Sequence, residues 1–296
     1  VTLACRLNAA SVPDVLSVRF TTMPIPPAGR AIVTGAVSGL GKAITRELAS
    51  RGWEIATVDS KGTSDQAWCD LDQEVLSSGG KHLPSPFDVR DVDSWRRLSD
   101  QLQKEWPVVD LLVNAAGVGA TGEVGNLPIQ QWQRVLETNL LGTAIGCETF
   151  LPRMRRQQKA ARVLNVASVA GLLSPPSMAA YSASKAGIIA LSDALAAESR
   201  GQPRITVACP GFFRSGLLSS WHFTQSIERC EADRRMAKTL WTSELVAQHV
   251  LAATFRGQHY VVLGRQAWLL WMLKRFAPRL TIKLMSRLYH QLPPRE

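Results

Sequence analysis

Residues 30–52 read RAIVTGAVSGLGKAITRELASRG. Arg30–Thr34 is a short β-rich run, Gly35–Gly41 a glycine-spaced turn, and Lys42–Arg51 a helix-like segment closed by Gly52. Strand, glycine turn and helix in that order aim backbone N–H groups and a helix N-terminus at a phosphate. The glycines let the backbone approach a ligand with no Cβ in the way. A glycine cluster alone is more often only a tight turn, so the flanking strand and helix carry this reading.

The same alternation continues downstream. Trp53–Asp59 reads as the second strand, Ser64–Ser77 as a helix, and Lys81–Phe87 as the third strand, running into Asp88-Val89. Val92–Trp106 reads as a helix and Val108–Val113 as the fourth strand, ending in Asn114-Ala115-Ala116-Gly117. A long helix over Ile129–Cys147 carries Asn139 in its middle. Ala161–Ser168 is then the fifth strand, Tyr181–Ser199 a helix, and Arg204–Cys209 the sixth strand, ending in Pro210-Gly211. Glu244–Arg256 and His259–Leu263 close the series as a helix and a last strand. Apolar strands alternating with helical stretches specify a parallel, doubly wound α/β sheet. The expectation is one Rossmann-like domain over 30–264, with about seven strands and helices on both faces. Phe212–Thr242 is its least regular part, mixes Phe212, Phe213, Leu217, Leu218 and Trp221 with polar residues, and is expected to pass over the site as a lid.

Composition excludes several classes. Of 296 residues, 46% are hydrophobic and 20% charged, enough for a sizeable core. The five cysteines are scattered, odd in number and never in a C-x-x-C pair, which argues against a disulfide framework or a zinc site and fits a reducing cytosol. The five histidines are equally dispersed, so no metal is expected. Net charge is +10, but residues 264–296 hold seven Lys and Arg against the single acid Glu296, a local excess of +6. The body is therefore only mildly basic, which weakens a nucleic-acid reading. No apolar run reaches the ~18–20 residues of a membrane span. Residues 1–29 are read as a flexible leader without regular structure, with Met23 as an alternative start.

The chemistry concentrates in residues 168–185, SVAGLLSPPSMAAYSASK. Tyr181 and Lys185 are four apart, so on a helix the phenol and the ammonium lie side by side. A free phenol titrates near ~10, and a neighbouring cation favours its anion. Ser168 ends an apolar strand, at the sheet edge where open α/β folds bind ligands. Serine, tyrosine and lysine converging there can hydrogen-bond a carbonyl oxygen and move a proton to or from it. By chance alone a Tyr-x-x-x-Lys pair is weak evidence; the other motifs lift it. Asp59, 18 residues after Gly41, is placed to accept from ribose hydroxyls. Its charge repels a 2′-phosphate, so NAD is favoured over NADP, with Lys61 keeping NADP as the lesser alternative.

Taken together, these motifs resemble the short-chain dehydrogenase/reductase family over roughly Arg30–Gly264. The family's Thr-Gly-x-x-x-Gly-x-Gly loop matches Thr34–Gly41, with Gly35, Ser38, Gly39, Leu40 and Gly41 as cofactor contacts. Its adenine-contacting aspartate matches Asp88, beside Val89, and its Asn-Ala-Ala-Gly matches Asn114, Ala115, Ala116 and Gly117. Its catalytic tetrad matches Asn139, Ser168, Tyr181 and Lys185. Its Pro-Gly matches Pro210-Gly211, followed by Phe213 and by Ser215 where the family commonly has threonine. The resemblance implies hydride transfer between a nicotinamide cofactor and an alcohol/carbonyl pair. Tyr181 would be acid or base and Ser168 the oxygen-polarising group; Lys185 would hold the nicotinamide ribose and lower the Tyr181 pKa, and Asn139 would anchor a relay water. It also implies a homodimer or homotetramer through the helices Ile129–Cys147 and Tyr181–Ser199. The alternatives are a dinucleotide-binding sensor without turnover and a membrane-surface interaction protein.

The family core does not explain the tail, 265–296. Trp268–Leu273 is an apolar block, Pro278 interrupts it, and Leu280, Leu284 and Leu288 then repeat beside Arg279, Lys283 and Arg287. A basic amphipathic helix with aromatic anchors suits an anionic bilayer surface, so 267–290 is read as a peripheral membrane contact on a cytoplasmic protein, with a lipid-like alcohol or ketone as substrate. Packing on its own domain and an oligomer contact are the competing readings.

Overall fold

The computed structural model of the chain describes residues 25–62 and 65–290. The readings made for residues 1–24, Ser64 and 291–296 lie outside these. Nine strands are described: β1 Arg30–Thr34, β2 Glu54–Asp59, β3 Lys81–Pro86, β4 Leu111–Asn114, β5 Ala120–Thr121, β6 Arg162–Val166, β7 Arg204–Cys209, β8 His222–Phe223 and β9 Tyr260–Val262. The helices are α1 Gly39–Ala49, α2 Gln66–Ser77, α3 Val92–Glu105, α4 Ile129–Leu136, α5 Gly142–Arg156, α6 Val169–Leu173, α7 Ala179–Glu198, α8 Ser226–Lys238, α9 Ser243–Phe255, α10 Arg265–Phe276 and α11 Pro278–His290.

Seven strands form one parallel sheet in the order β3-β2-β1-β4-β6-β7-β9. Both faces are buried. Ala31 and Val33 of β1 join Ile44, Leu48, Val246 and Val250 of α1 and α9 on one side. Ile32 between them joins Trp95, Leu102, Phe150 and Met154 of α3 and α5 on the other. Strand side chains alternate between faces, so a run apolar at every position is covered by helices on both. This is the doubly wound sheet the alternation specifies.

The chain turns outward in both directions from β1 and β4, and the crevice at their C-terminal ends is the topological switch point. There Thr34 Oγ1 accepts from Ala115 N at 2.9 Å and Ala116 N at 3.0 Å, clasping the two strand ends together.

Several boundaries differ from the sequence reading. Residues 25–29 lack regular structure, as expected, but they are not a free leader: Ile25 is buried and Trp53 Nε1 donates to Pro26 O at 2.9 Å. Val108–Asp110 precede β4, whose register with β1 begins at Leu111 opposite Ala31, although Asp110 N already bonds Arg30 O at 2.9 Å. The expected Ile129–Cys147 helix continues to Arg156 and is broken at Glu137–Leu141 by a π-helical turn. The break falls on Asn139, whose amide bonds a neighbouring loop, and such turns gather where a side chain has work outside its own helix. β6 stops at Val166, and Ser168 instead caps the short helix α6, accepting from Ala170 N at 3.1 Å.

The irregular reading of Phe212–Thr242 also needs correction. It contains a 3₁₀ turn at Gly216–Ser220, β8 paired with β5, and the 13-residue helix α8, started by a capping box between Gln225 and Glu228. The tail is two helices parted at Ala277, and it packs on the body. Lys274 Nζ donates to Leu172 O at 2.8 Å, and Trp271 lies 5.4 Å from Tyr260 between ring centres. No helix among the described residues is long and apolar enough to cross a membrane.

A glycine test follows from the turn between β1 and α1. A Cβ on Gly41 would stand 2.1 Å from Gly35 O, whereas one on Gly216 meets nothing within 4 Å. Gly41→Ala should lower stability by about 1–3 kcal/mol in urea denaturation, with Gly216→Ala within about 0.5 kcal/mol of the parent. Equal stability for the two would contradict the close packing of this turn.

Candidate active site

A cavity of about 910 Å³ opens at the switch point. Of the residues expected from sequence to bind cofactor or act in catalysis, all but Asn114 and Asn139 line it. One end is built of backbone. Gly39 sits at φ +51° and Gly35 at φ +65°, the left-handed region that favours glycine. A Cβ on Gly35 would meet Ala116 Cα at 2.9 Å, so the turn lies directly against the end of β4. Ser38 precedes α1 in an extended conformation and makes no side-chain cap, leaving the helix N-terminus open to the cavity.

Asp59 ends β2 at the edge of the same cavity. Its Oδ2 accepts from Val37 N at 3.3 Å and its Oδ1 from Lys61 N at 3.3 Å. Burial raises its pKa, and those backbone donors oppose the rise. Lys61 turns to Asp65 at 3.3 Å. Asp88 also lines the cavity and is held by Arg90 at 2.7 and 3.0 Å, which lowers its pKa.

The middle of the cavity holds Tyr181 and Lys185, both on α7 and both buried. Helical spacing brings Lys185 Nζ to 5.7 Å from the Tyr181 ring centre. Lys185 Nζ donates to Val166 O at 2.8 Å, which ties α7 to the end of β6. Burial pushes the Lys185 pKa down to about 8. Burial likewise pushes Tyr181 up to about 12, and the nearby Ser168 hydroxyl, which donates to Pro210 O at 3.5 Å, opposes the rise. Desolvation is the largest influence on the phenol, and Lys185 stands beside its ring.

Asn114 and Asn139 point away from the cavity wall. Asn114 Nδ2 donates to Asn165 Oδ1 at 2.9 Å, behind the strand end. Asn139 Oδ1 accepts from Val118 N at 2.8 Å, while its Nδ2 donates to Val118 O at 2.9 Å and Ser184 Oγ at 3.0 Å. Both amide donors are thus committed within the protein. One lone pair of Oδ1 remains for a relay water, and the side chain also holds a loop.

Sequence reasoning placed Trp221 in the lid but not against Tyr181. Its ring lies 4.8 Å from that of Tyr181, and its Nε1 donates to Thr121 Oγ1 at 2.7 Å. Only its place in an apolar stretch signalled it. The other end of the cavity is apolar and draws on α6, the 3₁₀ turn and the tail, including Leu173, Met178, Leu217, Leu270 and Met285.

This geometry can be set beside known proteins. The family model for short chain dehydrogenases matches residues 30–225. The chain belongs to the short-chain dehydrogenase/reductase family. It is 31% identical over 238 residues to a 3-oxoacyl-[acyl-carrier-protein] reductase of Synechocystis, covering 79% of this chain and 95% of that one. It is 28% identical over 258 residues to the probable oxidoreductase EphD of Mycobacterium tuberculosis, covering 83% of this chain but spanning only 43% of that longer protein. A family structure from Burkholderia phymatum, solved in complex with NAD, superposes with a TM-score of 0.77 at 28% identity and covers 86% of this chain and 95% of its own.

Lys185 generates a pH test. Its folded pKa lies near 8 against an ordinary 10.5, so between those values the unfolded chain binds more protons than the folded one. The burden of the buried charge is fully present below pH 8, and stability from this group rises as pH climbs from 8 to 10.5. In urea denaturation, the stability of the parent relative to Lys185→Met should therefore improve between neutral pH and about pH 10. Parallel curves for the two proteins would contradict the assignment.

Proposed function

We propose that this chain is an NAD-dependent oxidoreductase that interconverts a hydrophobic alcohol and its ketone or aldehyde. The observation that carries the reading is the meeting of Tyr181, Lys185 and Ser168 on one cavity wall, between a glycine turn and an apolar end. A dinucleotide fits the first end on structural grounds. A side chain at Gly35 or Gly41 would drive the turn into neighbouring backbone, and at Gly39 it would be strained, so the cradle is kept bare. The uncapped N-terminus of α1 offers donors to phosphate, and Asp59 offers a carboxylate to ribose hydroxyls. That carboxylate supports NAD over NADP, because it would repel a 2′-phosphate, and Lys61 is engaged by Asp65. NAD in the Burkholderia relative points the same way.

When bound, the nicotinamide accepts or supplies the hydride at the substrate carbon. The chain's own groups handle the oxygen. In the reductive direction Tyr181 gives its phenolic proton to the carbonyl oxygen as that carbon is reduced; in the oxidative direction the phenolate takes the hydroxyl proton. Ser168 orients the oxygen by hydrogen bonding. Lys185, held by Val166 O, puts its ammonium beside the phenol and would hold the nicotinamide ribose of a bound cofactor. Asn139 is a positioning residue, acting through Val118 and Ser184. The cofactor wall is completed by Ala115, Ala116 and Gly117 after β4, by Val89, and by Pro210, Gly211, Phe213 and Ser215 after β7.

The lining supports a hydrophobic substrate. Beyond Tyr181 the cavity is walled by Leu173, Met178, Leu217 and Trp221, with residues 212–242 as its lid. The reading extends to a cytoplasmic homodimer or homotetramer with residues 267–290 against a membrane surface, supported by the basic stripe of α11 and its exposed leucines.

Tyr181→Phe tests the assignment. It should lower the turnover of aliphatic alcohols and ketones with NAD(H) by roughly 10²–10⁴-fold while NADH binding, followed by nicotinamide fluorescence, is retained. Undiminished turnover would remove Tyr181 from the chemistry. Retained binding with no turnover by the parent protein on any alcohol or ketone would favour a sensor instead.

A further inference from the structure

The helices α10 and α11 form a wall of the cavity as well as an outer surface. Leu284 and Leu288 line the cavity yet stay 40% and 57% exposed, so they stand at its mouth. Leu270 of α10 does the same at 38%. Residues deep in a pocket are covered; residues that line it and still meet solvent mark where it opens. The cavity therefore opens along the tail through an apolar rim, and also beside Phe212, Ser219 and Arg235, which line it and are exposed as well.

The chemistry around that rim is one-sided. From Arg265 to His290 there is no Asp or Glu, while Lys274, Arg275, Arg279, Lys283 and Arg287 are all present. On α11, Thr281 is buried against the body and Arg279, Lys283 and Arg287 fall on the outward side of the helix, next to Leu280. Phe276 at the end of α10 is 85% exposed, and Leu280 and Ile282 follow at 57% and 61%. Apolar side chains contiguous with basic ones, without acids, mark a surface made for another phase rather than for water. The anchoring to the body is firm: Lys274 Nζ reaches Leu172 O at 2.8 Å and Ser174 Oγ at 3.1 Å, and Tyr289 bonds Glu123. The helices thus present the rim on a fixed support.

We infer that α10 and α11 dock this protein on an anionic bilayer with the cavity mouth facing the lipid, so that an apolar substrate passes from the bilayer to Tyr181 without crossing water. The positive charge of Arg279, Lys283 and Arg287 complements anionic headgroups, each worth about tenfold or less in membrane affinity and screened by salt. Leu280, Ile282 and Phe276 enter the headgroup boundary, and Leu270, Leu284 and Leu288 join the acyl region to the apolar end of the cavity. The docking stands on the surface alone; the passage of substrate rests on the proposed oxidoreductase reading.

Two measurements separate the two. Full-length protein is sedimented with vesicles of phosphatidylcholine alone and of phosphatidylcholine with phosphatidylglycerol. Binding should require phosphatidylglycerol and weaken by roughly tenfold to a hundredfold in Arg279→Gln/Lys283→Gln/Arg287→Gln, with NADH fluorescence unchanged as the check on folding. Phe276→Glu/Ile282→Glu should weaken it as well. No sedimentation of the parent, or binding indifferent to both variants, overturns the docking. So does a parent that ignores vesicles but self-associates through this face, seen as loss of oligomer in Phe276→Glu/Ile282→Glu by light scattering.

The second measurement compares oxidation of a long-chain aliphatic alcohol carried in the vesicles with that of a short, water-soluble one. The triple glutamine variant should lose rate on the first at least several-fold and none on the second. Equal rates on the first overturn the lipid-facing mouth. Sedimentation as expected with no oxidation of either alcohol by the parent upholds the docking and counts against the oxidoreductase reading.

Discussion

Asn139 is fully buried in the interior of a helix, where an amide is unfavourable unless its bonds are made elsewhere. Here they are made to Val118, on the loop after β4, and to Ser184, beside Lys185 on α7. One side chain therefore joins the strand end that borders the glycine turn to the helix that carries Tyr181 and Lys185. The helix pays for this with a π-helical turn at Glu137–Leu141. Gly117 packs closely against it: a Cβ there would stand 3.3 Å from Asn139 Oδ1 and 3.5 Å from Lys185 Nζ. The placement of Tyr181 and Lys185 against the strand end rests on this three-way joint.

Around that joint the protein keeps two titratable side chains away from water. Tyr181 and Lys185 are both buried, and desolvation moves their pKa values in opposite directions, to about 12 and about 8. Each shift disfavours the charged form. Burial thus favours the neutral form of both groups, and the Ser168 hydroxyl nearby opposes the effect on the phenol. Charge placed near the phenol has a large effect in such a setting, because little water screens it. Trp221 seals the tyrosine from one side, so the segment after Pro210-Gly211 takes part in excluding water as well as in shaping the apolar end.

Much of the fold was legible from the amino-acid sequence because the parallel sheet is buried on both faces. Its strands read as short, continuous apolar runs, and the glycine turn has no cheap alternative. Arg204–Cys209 matches its strand end for end. Legibility failed where tertiary bonds override local pattern. Nothing in Ile129–Cys147 signals a π-helical turn, because its cause is a hydrogen bond to a residue far off in sequence. Ser168 was read as a strand tip, whereas its hydroxyl caps a helix too short to show any period. The polar stretch of 212–242 hid α8, whose capping box depends on a Gln and a Glu three residues apart. The tail was legible as an apolar block followed by a basic amphipathic helix, but its place against the cavity was not: that comes from Lys274 reaching Leu172 of α6, 102 residues away.

The measurement that bears most directly on the account is a titration of the purified protein with NADH and with NADPH, followed by nicotinamide fluorescence, for the parent and for Asp59→Ala. Tighter binding of NADH by the parent, with the preference lost in Asp59→Ala, is the result expected of a dinucleotide held between the glycine turn and the Asp59 carboxylate. Binding of neither nucleotide would contradict the account at its root, since the placement of Tyr181, Lys185 and Ser168 would then serve some other chemistry.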